Sequence, residues 1–142
     1  MATTERRNRL SLVLAAALLP AACATPAQSA DNGAVCSVYQ SARSRVEVVA
    51  GGTVTRVLGT QPGVSSPHEG FLLRLNSSCD VTIRVEANVD FTGQIPLKAG
   101  DAVVVKGEYE YYSRGGVIHW THRDPRGRHE GGYVQTGGKI YD

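Results

Sequence analysis

The sequence has no phosphate-cradling Gly-x-x-x-x-Gly-Lys stretch, no Gly-x-Ser-x-Gly elbow and no Ser-His-Asp order, which excludes the commonest nucleotide-binding loop and the usual serine hydrolases. It has no long apolar run either, because the stretch from Leu10 to Ala22 is too short for a membrane span. Internal repeats are absent, and 142 residues point to one domain. Excess charge is also missing. The whole chain carries fifteen basic and thirteen acidic residues, but residues 1–24 hold three arginines and Glu5, so the remainder balances at twelve of each. A protein that coats nucleic acid through many phosphate contacts needs a larger basic surplus.

What is present begins with an address. Arg6, Arg7 and Arg9 precede the apolar run and small residues follow it, the order of a secretory signal over residues 1–24. Two processing routes stay open. Leu19-Pro20-Ala21-Ala22-Cys23 has the form of a lipobox, which would acylate Cys23 and anchor the protein to the outer membrane. Ala22-Cys23-Ala24 instead offers small residues to a signal peptidase and would leave a periplasmic or extracellular protein. By either route the protein is exported, the mature chain has no transmembrane helix, and membrane contact runs only through a lipid anchor. Cys36 and Cys79 then remain as a pair in an oxidising compartment, where a disulfide is expected. Closing a loop of roughly forty residues stabilises a fold by about 4 kcal/mol in the chain-entropy model.

Residues 25–33 are small and polar and read as a tether, so the ordered domain is expected over residues 34–142. Val35, Val38, Tyr39 and Ala42 recur at helical spacing and predict a short helix from about 33 to 43, started near Asp31 or Asn32 and carrying Cys36. The period then changes to two. Phe71, Leu73 and Leu75, then Val81, Ile83, Val85 and Ala87, then Val103, Val105, Tyr109 and Tyr111 alternate with polar or outward residues, which predicts half-buried antiparallel strands. An earlier strand runs from about Val46 to Leu58, with Gly51-Gly52 in its middle suggesting a bulge or a sharp bend of the kind that lets a long strand turn a barrel corner. Asn76 to Asp80, Gly115-Gly116 and Gly137-Gly138 read as turns, and Val117 to Thr121 as the fifth strand. Asp90 to Gly100, with Pro96 and two glycines, leaves room for little more than a turn. The pattern is all-β: a small five-stranded OB-like barrel with a short N-terminal helix.

Gly52-x-Val54, His68-x-x-Phe71, Asn88-x-Asp90, Pro96-Leu97-x-x-Gly100-Asp101-x-Val103, Gly107-Glu108-Tyr109-Glu110, the run Gly115 to Pro125, His129, Gly132 and Tyr141 carry a resemblance. With these residues the chain resembles a family of exported bacterial proteins, domain of unknown function 3465. The resemblance implies an OB-like fold and an envelope or extracellular location, and it brings no activity with it. Glu69 and Tyr133 stand where similar sequences have glutamine and tryptophan, a departure that concerns the pocket and not the fold.

The densest chemistry lies in His119-Trp120-Thr121-His122-Arg123-Asp124-Pro125-Arg126-Gly127-Arg128-His129, which holds three of the four histidines and the only tryptophan. On a regular strand Ile118 and Trp120 share the inner face and His119 and Thr121 the outer, so Trp120 reads first as a core or barrel-mouth aromatic. His119 and His122 would fall on opposite faces, and the chain must bend if they are to meet. Asp124-Pro125-Arg126-Gly127 has the residues of a type I turn, which leaves two readings of Asp124, a cap of its own turn or a functional carboxylate. His68 precedes the second strand and could join the others at the barrel mouth.

Three functions fit these residues. A binding domain would recognise an anionic or planar ligand, such as nucleic acid or an oligosaccharide, through His68, Tyr111, Trp120, Arg126 and Arg128, with Tyr109 or Tyr112 as further rings. A metal-assisted phosphodiesterase or nuclease would use His119, His122, Asp124 and His129 as catalytic groups and as ligands of a divalent metal. Such an enzyme would want further carboxylates, and Glu108, Glu110 and Glu130 are nearby in sequence. A structural envelope protein would use the segment as a hydrogen-bonded plug and act through a partner.

Overall fold

The computed structural model describes residues 28–142, so the expected signal segment, residues 1–24, and Cys23 lie outside the described residues. Helix α1 spans Asn32–Gln40, and seven strands follow: β1 (Val46–Gln61), β2 (His68–Leu75), β3 (Thr82–Asn88), β4 (Ala102–Glu110), β5 (Val117–His119), β6 (Tyr133–Thr136) and β7 (Lys139–Tyr141), with a one-turn helix α2 (Val89–Thr92) after β3. The sheet order is β1-β2-β3-β5-β4-β6-β7, and β1 also pairs with β4. Five strands therefore close a hydrogen-bonded ring, an arrangement compatible with an OB-like fold. The β6–β7 hairpin is an addition outside that ring, turned at Gly137-Gly138 as the sequence suggests.

Ring closure rests on the long first strand. Val46 to Thr53 pair with β4, and Gly52 to Gln61 pair with β2, so β1 changes partners at Gly52-Thr53. Of the two alternatives expected at Gly51-Gly52, a bulge or a sharp bend, the bulge is not there; the register is broken further along, between Val54 and Arg56 and between Val57 and Gly59. Gly52 serves close approach instead, since a Cβ there would stand 2.2 Å from the Arg74 carbonyl oxygen.

The inward side chains of the alternating strands fill the ring. Phe71, Leu73, Ile83, Val85, Val105, Tyr109, Ile118 and Val134 are completely buried, each stabilising the fold by about 1.5–3 kcal/mol for the larger aliphatic and phenyl side chains. Tyr109 satisfies its hydroxyl by donating to the Gly115 carbonyl (2.9 Å). Helix α1 lays Val35 and Val38 against this core, and it ends three residues earlier than the periodicity suggests because Ala42 turns left-handed at φ 51°. Asp31 caps it, accepting from the Ala34 N–H (2.9 Å). Residues before 34 are already tied to the sheet: the Asp31 N–H donates to the Val49 carbonyl (2.8 Å), and the Asn32 side chain bonds both backbone groups of Gly51. A Cys36–Cys79 disulfide, with Cα atoms 5.9 Å apart, ties α1 to the β2–β3 turn. Among the described residues no helix is long and apolar enough to cross a membrane.

Candidate functional site

Strand β5 is cut short, and the site follows from that. It runs only from Val117 to His119, because Trp120 takes a left-handed conformation at φ 55°, a region that costs a bulky residue about 1–3 kcal/mol. The expected strand to Thr121 is therefore two residues too long, and the alternation fails at the tryptophan. Trp120 is not a core residue: it is 41% exposed, while Thr121 and His122 turn inward and are buried. Thr121 donates its hydroxyl to the Glu86 carbonyl (3.1 Å).

Residues 120–131 form a loop that leaves and rejoins β4 at one place. β5 pairs with β4 at Glu108 to Glu110, β6 pairs with it at Val103 to Lys106, and the loop springs from the gap at Gly107. Two glycines let the backbones touch there. A Cβ on Gly107 would stand 2.3 Å from the His119 carbonyl oxygen, and one on Gly132 would stand 2.2 Å from that of Trp120. The Gly132 N–H closes the loop on the His122 carbonyl (2.9 Å).

Inside the loop Asp124 acts as the hub. Its carbonyl accepts from Gly127, closing the expected turn (3.1 Å). Its carboxylate accepts the N–H groups of Arg126 (2.9 Å), Arg128 and His129 (3.1 Å). Burial alone would push this carboxyl up, but the three N–H donors outweigh it and hold it below the usual carboxylate range. His122 lies under the loop. Its Nδ1 faces the Arg123 carbonyl at 2.6 Å and so must donate, which leaves a lone pair on Nε2. Burial lowers its pKa; the Arg123 bond and Asp124 oppose this, and His129 and His68 add to it. His129 likewise faces the Glu130 carbonyl through Nδ1 (2.7 Å) and packs on Trp120 with ring centroids 4.5 Å apart.

Two adjoining cavities, about 370 and 340 Å³, open on the outer face of β2, β3 and β5. The first is lined by Val64, Ser65, His68, Glu86, Asn88, His119, Trp120 and His122. The second is bounded by Gln61, Pro62, Gly63, Arg84 and Val117. His68, Glu86 and His119 border both. His68 is oriented by the Ser66 carbonyl, 2.9 Å from its Nδ1, and Glu86 is engaged by Arg84. His68 therefore shares a cavity with His119 and His122, on the outer face of the sheet and not at a barrel mouth, and His129 lines neither cavity.

Other expected residues stand elsewhere. Tyr111, just beyond the end of β4, packs on Tyr39 of α1 (5.9 Å) and donates its N–H to Ser44, and it lines neither cavity. Tyr109 is buried in the core, and Tyr112 is exposed beyond the end of β4. Arg126 and Arg128 belong to the loop and line neither cavity. Glu86 and Phe91 were not singled out in the sequence. Glu86 reaches the site through the parallel β3–β5 pairing, which places it level with His119, and no local pattern announces that crossover. Phe91 comes from α2, inside the connector read as a turn.

Fold and site together define a small all-β domain that presents a ring-walled cleft beside an imidazole-rich loop. The chain belongs to the family described as protein of unknown function, DUF3465, whose model matches residues 17–142. No curated protein and no solved structure matches it.

Proposed function

We propose that this is an exported binding domain whose cleft holds one ring of a neutral, hydroxyl-rich ligand, an oligosaccharide, against Trp120. The observation that carries the reading is the strained, 41% exposed Trp120 standing over a cavity of about 370 Å³. A bulky side chain in a left-handed conformation persists only where its surroundings hold it, and such strain gathers at ligand sites. The volume lies in the range of small-ligand pockets. The polar lining is a carboxylate, an amide, imidazoles and a serine hydroxyl: Glu86, Asn88, His68, His119, His122 and Ser65. These groups suit hydroxyls. No arginine or lysine lines that cavity, and Arg84 beside it is engaged by Glu86, so a phosphate or other anion finds little compensation. Between the two ligand classes weighed from the sequence, a planar or ring ligand is favoured over an anionic one. OB-like domains use this same strand 2–3 face for oligosaccharides and oligonucleotides.

Trp120 is the only tryptophan and reports on its own site. Titration of purified protein in metal-free buffer with a panel of hexasaccharides should shift its emission saturably, and single-stranded DNA at physiological salt should not. Trp120→Gly should abolish calorimetric binding while stability stays within about 1 kcal/mol of the parent, because the left-handed strain is relieved as exposed ring contacts are lost. Saturable DNA binding with no response to any saccharide would sink the reading.

A further inference from the structure

The geometry points to a divalent-cation site formed by Glu108, Glu110 and His119 on the outer face of β4 and β5, at the edge of the cleft, with the ligand set of a zinc-class metal. It stands independently of the saccharide reading. Glu108 and His119 are register partners across the β4–β5 ladder, and Glu110 follows two positions along on the same face. One ligand atom from each of the three lies within 4.8 Å of the others, the one such set of three among the described residues. Metal–ligand bonds of about 2.0–2.2 Å need only a small side-chain closure from there.

Two further observations point to a missing cation. His119 Nε2 is enclosed and has no hydrogen-bond partner, although Glu108 Oε1 lies 3.4 Å away. On the other side of Glu108, its β1 register partner Glu47 also carries an enclosed, unpartnered oxygen, Oε2. Carboxylates directly opposite each other repel. Lys106 is already engaged by Glu130 at 2.6 Å. The row Glu47–Glu108–His119 thus sets two carboxylates opposite each other, one with an unpartnered oxygen, and ends in an unpartnered imidazole nitrogen.

Two carboxylates and one imidazole suit Zn²⁺ and similar first-row ions, whereas Ca²⁺ and Mg²⁺ take all-oxygen shells. Three protein ligands leave a coordination position for water or for a bound molecule. His119 also borders both cavities, so a cation here would adjoin whatever occupies them. Of the four metal candidates read from the sequence only His119 belongs to this set. Asp124 is taken up by backbone donors.

The test is calorimetric titration of metal-stripped protein with Zn²⁺ alone, and separately with Ca²⁺, supported by the visible spectrum of the Co²⁺ form. One Zn²⁺ per chain is expected, with affinity about 10-fold to 100-fold weaker in Glu110→Gln and in His119→Ala, and unchanged in His129→Ala. Co²⁺ should also quench Trp120, whose ring centroid lies 5.5 Å from that of His119, a readout that needs no variant. Absence of saturable Zn²⁺ binding up to about 1 mM, Ca²⁺ binding in its place, undiminished binding in Glu110→Gln and His119→Ala, or loss in His129→Ala would each overturn the assignment.

Discussion

The Phe91 ring lies flat on the His122 imidazole, with centroids 4.3 Å apart and planes within 3°. The two come from the one-turn helix after β3 and from the loop after β5, so this contact locks the connector to the histidine loop. Asn88 caps that helix by accepting from the Asp90 N–H (3.0 Å), and the Val89 N–H donates to the Pro67 carbonyl (3.1 Å). The 62–67 segment, α2 and the histidine loop are thereby fastened together around the cleft.

His122 should make stability depend on pH. Its folded pKa is lowered from 6.5, chiefly by burial, so below that pH the unfolded chain takes up a proton that the folded chain refuses. Its contribution is complete above pH 6.5 and is lost as pH falls from there through the lower folded value. The urea midpoint should fall between pH 7.5 and 5.5, and the fall should be smaller in His122→Gln. Removing the covering ring in Phe91→Ala should raise the His122 titration midpoint toward 6.5 in an NMR titration. Identical pH dependence in His122→Gln and the parent would refute this account.

Gly132→Ala should be among the more damaging single-methyl changes in the chain. The new Cβ would meet the Trp120 carbonyl oxygen at 2.2 Å, the Lys106 carbonyl oxygen at 2.5 Å and the Thr121 Cα at 2.9 Å, all backbone atoms, the second within the β4 ladder and the other two just beyond the end of β5. A loss of about 3 kcal/mol in urea unfolding is expected. Gly131→Ala is the matched control, because its nearest contact would be the Arg123 Cα at 3.9 Å. That variant should stay within about 0.5 kcal/mol of the parent. Equal behaviour of the two would mean that the loop is not clamped where it meets β4.

Much of the fold was legible because one face of each strand is buried. Phe71-Leu73-Leu75 and Val81-Ile83-Val85-Ala87 alternate as the core requires, and a one-residue slip would have put them in water. The turn at Asn76 to Asp80 and the Cys36–Cys79 pairing were legible for similarly local reasons. The site was legible only as a list of residues. Trp120 obeys the strand period in sequence and breaks it in space, because loop closure at Gly107 and Gly132 overrides the local pattern. Glu86 and His119 are 33 positions apart and become neighbours only through a parallel pairing that no turn signals. Tyr111 is a candidate by residue type, but just beyond β4 its ring packs on Tyr39 of α1 instead.

The disulfide offers the last test. Cys36 and Cys79 are 43 positions apart, and a bond across such a loop removes enough denatured-state freedom to stabilise the fold by about 4 kcal/mol in the chain-entropy model. Its place matters as much as its span, since α1 supplies Val35 and Val38 to the core and has only nine residues to hold itself. Noncovalent ties remain at its start, where Asn32 grips Gly51 and Asp31 caps the first turn. The Cys36→Ser, Cys79→Ser double variant should therefore keep its strand signal in circular dichroism while losing about 4 kcal/mol in urea unfolding. Amide exchange should rise along Val35 to Gln40 well before it rises in β2 and β3. An unchanged urea midpoint would mean that Val35, Val38 and Asn32 hold the helix without help, and that the bond contributes nothing the packing does not already provide.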